Sequence, residues 1–530
     1  IMLFLIWILV IIVALVLYLN EVFSRFSRHG VKNPPALAGN FIIMLFQREH
    51  FVYIIEKIYS YYPGERFIGI FQFLSPAVMI RDLELLKKIT MKDFEHFIDH
   101  RGLIDENVDK FFGRSLIALK GQEWKDMRST LSPAFTSSKI KLMLPFMVDV
   151  GEQMIKSLKK KINDSGTNYI DLEAKDLTSR YANDVIASCA FGLKVNSHDE
   201  EDNEFYQNGK TATTFGPKVM LKSFLYNFFP SFAKLLNISI IEEEIKTFFR
   251  NLILKTMNER EIRNIHRPDM INLLMEAKKG KLTHDDKTTD DGNAGFATVE
   301  ESSVGKRNIT RVWSEDDLVA QAVLFLFAGF ETVSTTMWFI LYELAVNPDV
   351  QDKLAQEIKE HELKNNGKFD YNSIQNMNYL DMVVSETLRL WPASGATDRL
   401  CVKDYNLGKP NDTATEDFII RKGEMISIPI MSFHRDPKYF PNPDKFDPER
   451  FSEENKYNIK PLTYMPFGLG PRNCIGSRFA LCEVKVMVYQ LIQHMKLSPF
   501  QKTVIPVQFS PDSFNLKVKG GHWLRLEVRQ

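Results

Sequence analysis

Phe467-Gly468-Leu469-Gly470-Pro471-Arg472-Asn473-Cys474-Ile475-Gly476 places one cysteine on a glycine-rich loop directly ahead of a helical pattern. Gly468 and Gly470 permit a tight backbone path, and Gly476 permits close approach of the helix that follows. The N–H groups and positive end of that helix favour an anionic sulfur, and Arg472 adds a cation two residues before it. The pattern suits a buried thiolate that binds a metal. The competing reading is a structural cysteine packed into a core, as most unpaired cysteines are.

Composition agrees with a large buried site. With 530 residues, 45% hydrophobic and 12% aromatic, the chain can enclose a sizeable core. Forty Phe against 26 Gly argues against disorder or a fibrous protein. The 67 basic residues balance 67 acidic ones, so no nucleic-acid footprint is visible. Cys189, Cys401, Cys474 and Cys482 are too scattered for a disulfide framework and match no zinc spacing, which implies a reducing cytosolic environment.

The N-terminus reads as a membrane segment. Residues 1–19 carry no charged side chain, close to the roughly 20 residues that span a bilayer core. Arg25, Arg28 and Lys32 follow, so the positive-inside bias leaves the main body cytosolic. A cleaved secretory signal is the rival reading, but its apolar region would be overlong and lacks a small-residue cleavage site. The topology makes the N-x-S/T sites at Asn163, Asn237, Asn308 and Asn411 ordinary surface residues. Asn33-Pro34-Pro35-Ala36-Leu37-Ala38-Gly39 is expected to form a stiff hinge. The chain begins with Ile1 and not Met, so its true start stays open.

Helical periodicity dominates from about residue 41, with strand-like patches at 67–80, 417–430 and 505–528. Residues 278–311, poor in large apolar side chains, read as a mobile surface connection. The four prolines in residues 437–448 exclude a regular helix. Ser314-Glu-Asp-Asp317 looks like a capping box opening a helix that runs to Val346, where Asn347-Pro348 stops it. At 1.5 Å per residue it is roughly 48 Å long, enough to cross a domain. Mid-helix, Ala328-Gly329-Phe330-Glu331-Thr332 can open the backbone locally while Thr332 donates a hydrogen bond; alternatively it is a small-residue packing seam. Glu386 and Arg389 share a helix face, as do Trp124 and Arg128.

Taken together, these motifs resemble the cytochromes P-450. Membrane anchor, proline hinge, Trp124-x-x-x-Arg128, Ala328-Gly-x-Glu331-Thr332, Glu386-x-x-Arg389, Pro448-Glu-Arg-Phe451 and the cysteine loop stand in that family's order over nearly the whole chain. Leu131–Ser137, His434–Tyr439 and Pro466–Gly476 are similar to stretches in the microsomal drug-metabolising branch and in insect detoxification members. Trp391-Pro392-Ala393 departs from the second proline many relatives carry, which puts a substrate-facing turn in doubt.

The resemblance implies a mainly α fold with small β-sheets, the α+β cytochrome P-450 fold, behind an N-terminal transmembrane helix. It divides the chain into a 1–19 anchor, a 20–40 hinge and a 41–530 catalytic domain, with 279–311 a mobile surface loop. It further implies haem b held by Cys474 as axial ligand. Ala328, Phe467 and Gly476 would line the cofactor, and Trp124, Arg128, Arg399 and Arg472 would approach its carboxylates. Glu331 and Thr332 would be catalytic, managing protons and oxygen. Glu386, Arg389 and Arg450 would form a buried folding network. Ile117, Ala118, Leu324, Phe327, Ser394, Thr397 and Phe514 would wall the substrate cavity, and Lys120, Lys125, Lys139 and Lys485 would dock an acidic reductase.

The expected activity is NADPH- and O2-dependent monooxygenation of lipophilic small molecules, foremost xenobiotics such as insecticides or plant allelochemicals, with a hormone or fatty-acid substrate as the alternative. The implied partners are NADPH-cytochrome P-450 reductase and cytochrome b5, and the implied location is the endoplasmic-reticulum membrane with the catalytic domain cytosolic. A haem protein that rearranges peroxides or senses ligands without reductase is the rival class, against which Glu331-Thr332 weighs.

Overall fold

The computed structural model describes residues 2–35, 49–72, 74–101, 110–214, 216–228, 230–236, 238–239, 241–279, 295–306, 311–367 and 369–529. Residues 36–40 of the expected hinge, Asn237, Asn308 and much of 279–311 lie outside the described residues. The chain forms two compact units, Ile1–Arg101 with Gly395–Phe433, and Gly102–Ser394 with His434–Gln530. The domain boundary expected at residue 41 falls inside the first unit.

The first unit opens with the helix Met2–Phe23, whose apolar side chains, including Trp7 and Leu17, are exposed. It runs four residues past the expected anchor and is a candidate membrane span by length and composition. Beyond it, Arg25 Nε pairs with Glu424 at 3.0 Å, and Arg28 pairs with Glu21. Phe26 is buried over Gly69, where a Cβ would lie 2.2 Å from its ring, so only glycine admits this packing. The patch at 67–80 forms a hairpin of strands Phe67–Gln72 and Ser75–Ile80. Met425–Ile428 adds to it in parallel and Thr397–Leu400 closes the four-stranded sheet.

The second unit is built around the helix Glu315–Val346. Asp317 N donates to Ser314 Oγ at 3.2 Å and Ser314 N donates to Asp317 Oδ2 at 2.9 Å, completing the capping box. Val333 to Ala345 are buried, as a helix sheathed on all sides requires. The helices Ala174–Cys189, Asn378–Leu390 and Ser477–His494 pack against it. At Gly329 a Cβ would stand 2.7 Å from Ile186 Cδ1. Gly329 therefore serves the packing seam.

Tyr169–Glu173, Trp523–Val528 and Met495–Ser498 form an antiparallel sheet. The β-like stretch expected at 505–528 shrinks to Trp523–Val528, apart from one bridge between Phe509 and Val518. Pro506 and Pro511 lack ladder donors, and Gly520 and Gly521 take positive φ, which explains the loss.

Residues 295–306 differ from the expected mobile surface connection. Phe296 N donates to Asp381 Oδ2 at 2.9 Å, and its ring packs edge-on to Phe451 with centroids 5.0 Å apart. One half-buried aromatic and a few charge-assisted hydrogen bonds hold a segment whose composition is polar.

Candidate functional site

The loop before the helix Ser477–His494 takes the tight path expected of it. Gly468 and Gly470 have φ of +76° and +69°, values that favour glycine. Gly468 N donates to Met465 O at 3.0 Å and Cys474 N to Phe467 O at 2.8 Å, folding Phe467 back onto the cysteine. Gly476 differs from expectation, since a Cβ there would meet Phe135 at an ordinary 3.6 Å. Protein packing alone does not demand glycine at that position. Cys474 is exposed at its surface yet surrounded by protein, and this burial pushes the thiol up, opposed by the Gly476 N–H and the Arg128 charge. The latter two favour the anion, as a metal-binding sulfur needs.

Trp124 and Arg128 lie on the helix Gly121–Leu131 and are both buried. The Arg472 guanidinium covers the Trp124 ring at 3.9 Å and donates to Leu119 O at 2.9 Å and Leu116 O at 3.3 Å, tying the loop to the turn before this helix. Arg128, expected to approach the haem carboxylates, is held here by residues of the chain itself. Its Nε and Nη2 grip Glu301 at 3.1 and 2.6 Å, while Nη1 and Nη2 donate to Asn473 O and Oδ1 at 2.7 and 2.8 Å. Its donors hold both a carboxylate of this chain and the residue before Cys474. Arg399 belongs to the first unit, on the strand Thr397–Leu400, where burial lowers its pKa to about 10 and Nη1 donates to Asp398 O.

On the central helix, Ala328 and Thr332 are exposed one turn apart, although Phe330 and Val333 beside them are buried. The two exposed residues leave one face of this otherwise sheathed helix accessible. Thr332 Oγ1 donates to Ala328 O at 2.5 Å, and Thr336 Oγ1 to Thr332 O at 2.9 Å, a series of back-bonds that loosens a helix. Glu331 accepts from Lys175 Nζ at 3.1 Å and from Thr335 Oγ1 at 3.1 Å. Lys175 also donates to Ser334 Oγ at 2.6 Å.

Support comes from beneath. Arg389 clasps Glu386 at 2.6 and 2.9 Å with both side chains fully buried, and donates to His434 O and Pro443 O. Arg450 Nε stands 3.4 Å from Glu386 as the third member. Trp391 stacks on Phe339, with centroids 4.7 Å apart, and donates to Glu343 Oε1.

Lys485 is a correction. Expected on a docking surface, it is completely buried and paired with Asp381 at 2.9 Å, so it meets no partner protein. Its place on the inner face of a packed helix decides this. Of the other expected docking lysines, Lys120 is exposed, and Lys125 and Lys139 are half-buried. Among the expected cavity residues, Ile117 and Ser394 are exposed, and Ala118, Leu324, Phe327 and Phe514 are half-buried. Glu301, Asn473 and Lys175 were not legible as site residues. Lys175 and Glu301 find their partners 156 and 173 positions away, with no local motif to betray them.

A mainly helical unit with a cysteine loop ahead of a long helix, and an acid and an alcohol exposed or half-exposed mid-way along its central helix, defines a thiolate-type haem oxidoreductase. Comparison with known proteins makes the family plain. The cytochrome P450 family profile matches residues 33–525. The chain is 44% identical over 522 residues to cytochrome P450 9e2 of Blattella germanica, covering 96% of this chain and 94% of that one. It is 41% identical over 518 residues to probable cytochrome P450 9f2 of Drosophila melanogaster, covering 96% of each. With probable cytochrome P450 6a13 of the same fly it shares 37% over 526 residues, covering 98% of each. The chain belongs to the cytochrome P450 family and is a monooxygenase.

Haem, which the family implies, fits the residues present. A soft sulfur donor is exposed at a helix N-terminus, the donor type that binds haem iron as thiolate. Gly476 leaves room beside it, and Ala328 and Thr332 present a small face.

Proposed function

We propose that this protein is a membrane-anchored haem-thiolate monooxygenase that takes electrons from NADPH through a reductase and oxidises lipophilic xenobiotics such as insecticides or plant allelochemicals. The observation that carries this reading is Cys474, exposed on a loop whose backbone is fixed by the hydrogen bond from its own N–H to Phe467 O. When bound, haem b supplies the activation of dioxygen and the transfer of one oxygen atom to substrate. Cys474 would hold the cofactor through Sγ, and Phe467 and Gly476 would be among the residues lining it. Thr332 holds a proton at Oγ1, and Glu331, the next residue back along the helix, keeps a carboxylate tethered by Lys175 and Thr335 for proton movement. Ile117, Leu324, Phe327 and Phe514 are apolar and accessible to different degrees, supporting an uncharged, lipophilic substrate.

The anchor supports a place in the endoplasmic-reticulum membrane with the catalytic body cytosolic. A reductase, with cytochrome b5 as a second donor, fits a surface that includes Lys120, Lys125 and Lys139. Spectral titration of the holoenzyme with insecticides, plant allelochemicals and steroids tests the substrate class. Tight binding confined to steroids would move the substrate to the endogenous class. NADPH consumption without added reductase would overturn the electron route.

A further inference from the structure

Residues 295–306 lie as a strap on the second unit, against the elements that surround the cysteine loop. Phe296 N donates to Asp381 Oδ2 at 2.9 Å, and the Phe296 ring packs on Phe451 and Tyr464 with centroids 5.0 and 5.5 Å away. Glu300 O accepts from the side chain of Asn473, the residue before Cys474, at 3.0 Å. At the far end a Cβ on Gly305 would stand 2.5 Å from Ser132 Oγ, just past the helix Gly121–Leu131. Gly295 is equally tight against Asp381, whose carboxylate is held by the buried Lys485 and has little room to give way. Ala297 and Val304 are each 5% exposed. The strap is therefore docked by its own packing and is not a loose cover.

Its accessible side carries charge. Glu300 and Lys306 are exposed. Lys306 follows Gly305, which rests on Ser132, and Ser132 falls between Lys125 and Lys139 in sequence, so Lys306 extends the basic surface that these lysines form with Lys120. Electron transfer weakens steeply with distance, so a protein that reduces a haem on Cys474 must approach the face carrying this loop, and the strap occupies part of that face. We propose that residues 295–306 belong to the docking surface for the electron-donating protein, Lys306 attracting an acidic face of that donor and Glu300 opposing it. This rests on a reductase being the donor.

The test uses purified full-length holoenzyme under carbon monoxide and follows the rate at which the reduced carbonyl band forms as NADPH-cytochrome P-450 reductase is titrated in. Lys306→Glu should raise the reductase concentration for half-maximal rate about threefold to tenfold, and Glu300→Lys should lower it about threefold, with the limiting rate and the band reached with dithionite unchanged. Added salt should shrink both differences. Phe296→Ala, which loosens the strap, should raise the half-saturating concentration as well. A half-saturation that Lys306→Glu leaves at the parent's value, or that moves the same way in Glu300→Lys, overturns the inference. A lower value in Phe296→Ala would make the strap a cover that keeps the donor out, and overturns it too. If Phe296→Ala does not keep haem, the two surface variants decide alone. A parent that dithionite reduces and the reductase does not would defeat the donor reading and the inference with it, a failure seen before any variant is made.

Discussion

Cys474→Ala should abolish the red-shifted Soret band of the reduced carbonyl complex, because no other cysteine stands on a glycine loop at a helix start; Cys189→Ala, Cys401→Ala and Cys482→Ala should leave it intact. The other three are buried within their units, whereas Cys474 is exposed at its surface. Loss of the band on removing any of those three would refute the assignment. Thr332→Ala should keep haem content and substrate affinity, since its hydroxyl bonds only its own helix at Ala328 O among the described contacts. Hydrogen peroxide released per oxygenated product should rise about tenfold or more, the scale on which a positioned proton donor acts. A peroxide-to-product ratio equal to the parent's would assign Thr332 to packing alone. At this scale the sequence disclosed residues whose meaning lies in short spacing, such as Glu386 with Arg389 and the cysteine with its glycines. It hid those that act through a distant partner. Arg128 was legible as a residue of interest but not its partner Glu301, because a glutamate in a polar stretch is written no differently when it is paired with a buried arginine.

His434 begins the His-Arg-Asp-Pro-Lys-Tyr stretch and ends the helix Ile430–His434. Met465 N donates to its Nε2 at 2.9 Å, so Nδ1 carries the proton and faces Arg389 O at 3.1 Å. Burial, reinforced by the Arg389 charge, lowers its pKa to about 3 from an ordinary 6.5. The unfolded chain therefore binds a proton that the folded chain refuses between those values, and stability present above pH 6.5 is lost as pH falls toward 3. Between pH 6.5 and 5 the loss should be about 2 kcal/mol. His434→Gln should be less stable at pH 7 but should lack that part of the acid slope, as read from urea denaturation at both pH values. Coincident slopes would mean that the folded protein accepts the proton freely. Element boundaries were legible where caps announce them, as at Ser314 and Asn347. The strand expected through residues 505–522 was not, because apolar alternation says nothing of the prolines and glycines that interrupt its ladder.

The helix Met2–Phe23, uncharged up to Glu21 and exposed along its apolar length, predicts that the protein stays in microsomal membranes after a carbonate wash, and that Asn163 and Asn411 carry no glycan. A mobility change on glycosidase treatment would reverse the topology. The apolar N-terminal helix and the helical character of the body were legible from charge and periodicity, whereas the composition of the first unit was not: nothing local announces that residues 395–433 return to residues 1–101. That return governs how the protein is made. Strand Ser75–Ile80 pairs with Met425–Ile428 through Ala77 and Met425, so at about 5–20 residues per second the ribosome needs roughly 20–70 s to deliver the partner. For that interval the buried side chains Val78, Met79 and Ile80 belong to a hairpin with an open edge, preceded by the apolar helix Met2–Phe23. Yield in a heterologous host is thus set by what shields that edge during translation, and slower elongation, which prolongs the wait, should lower it.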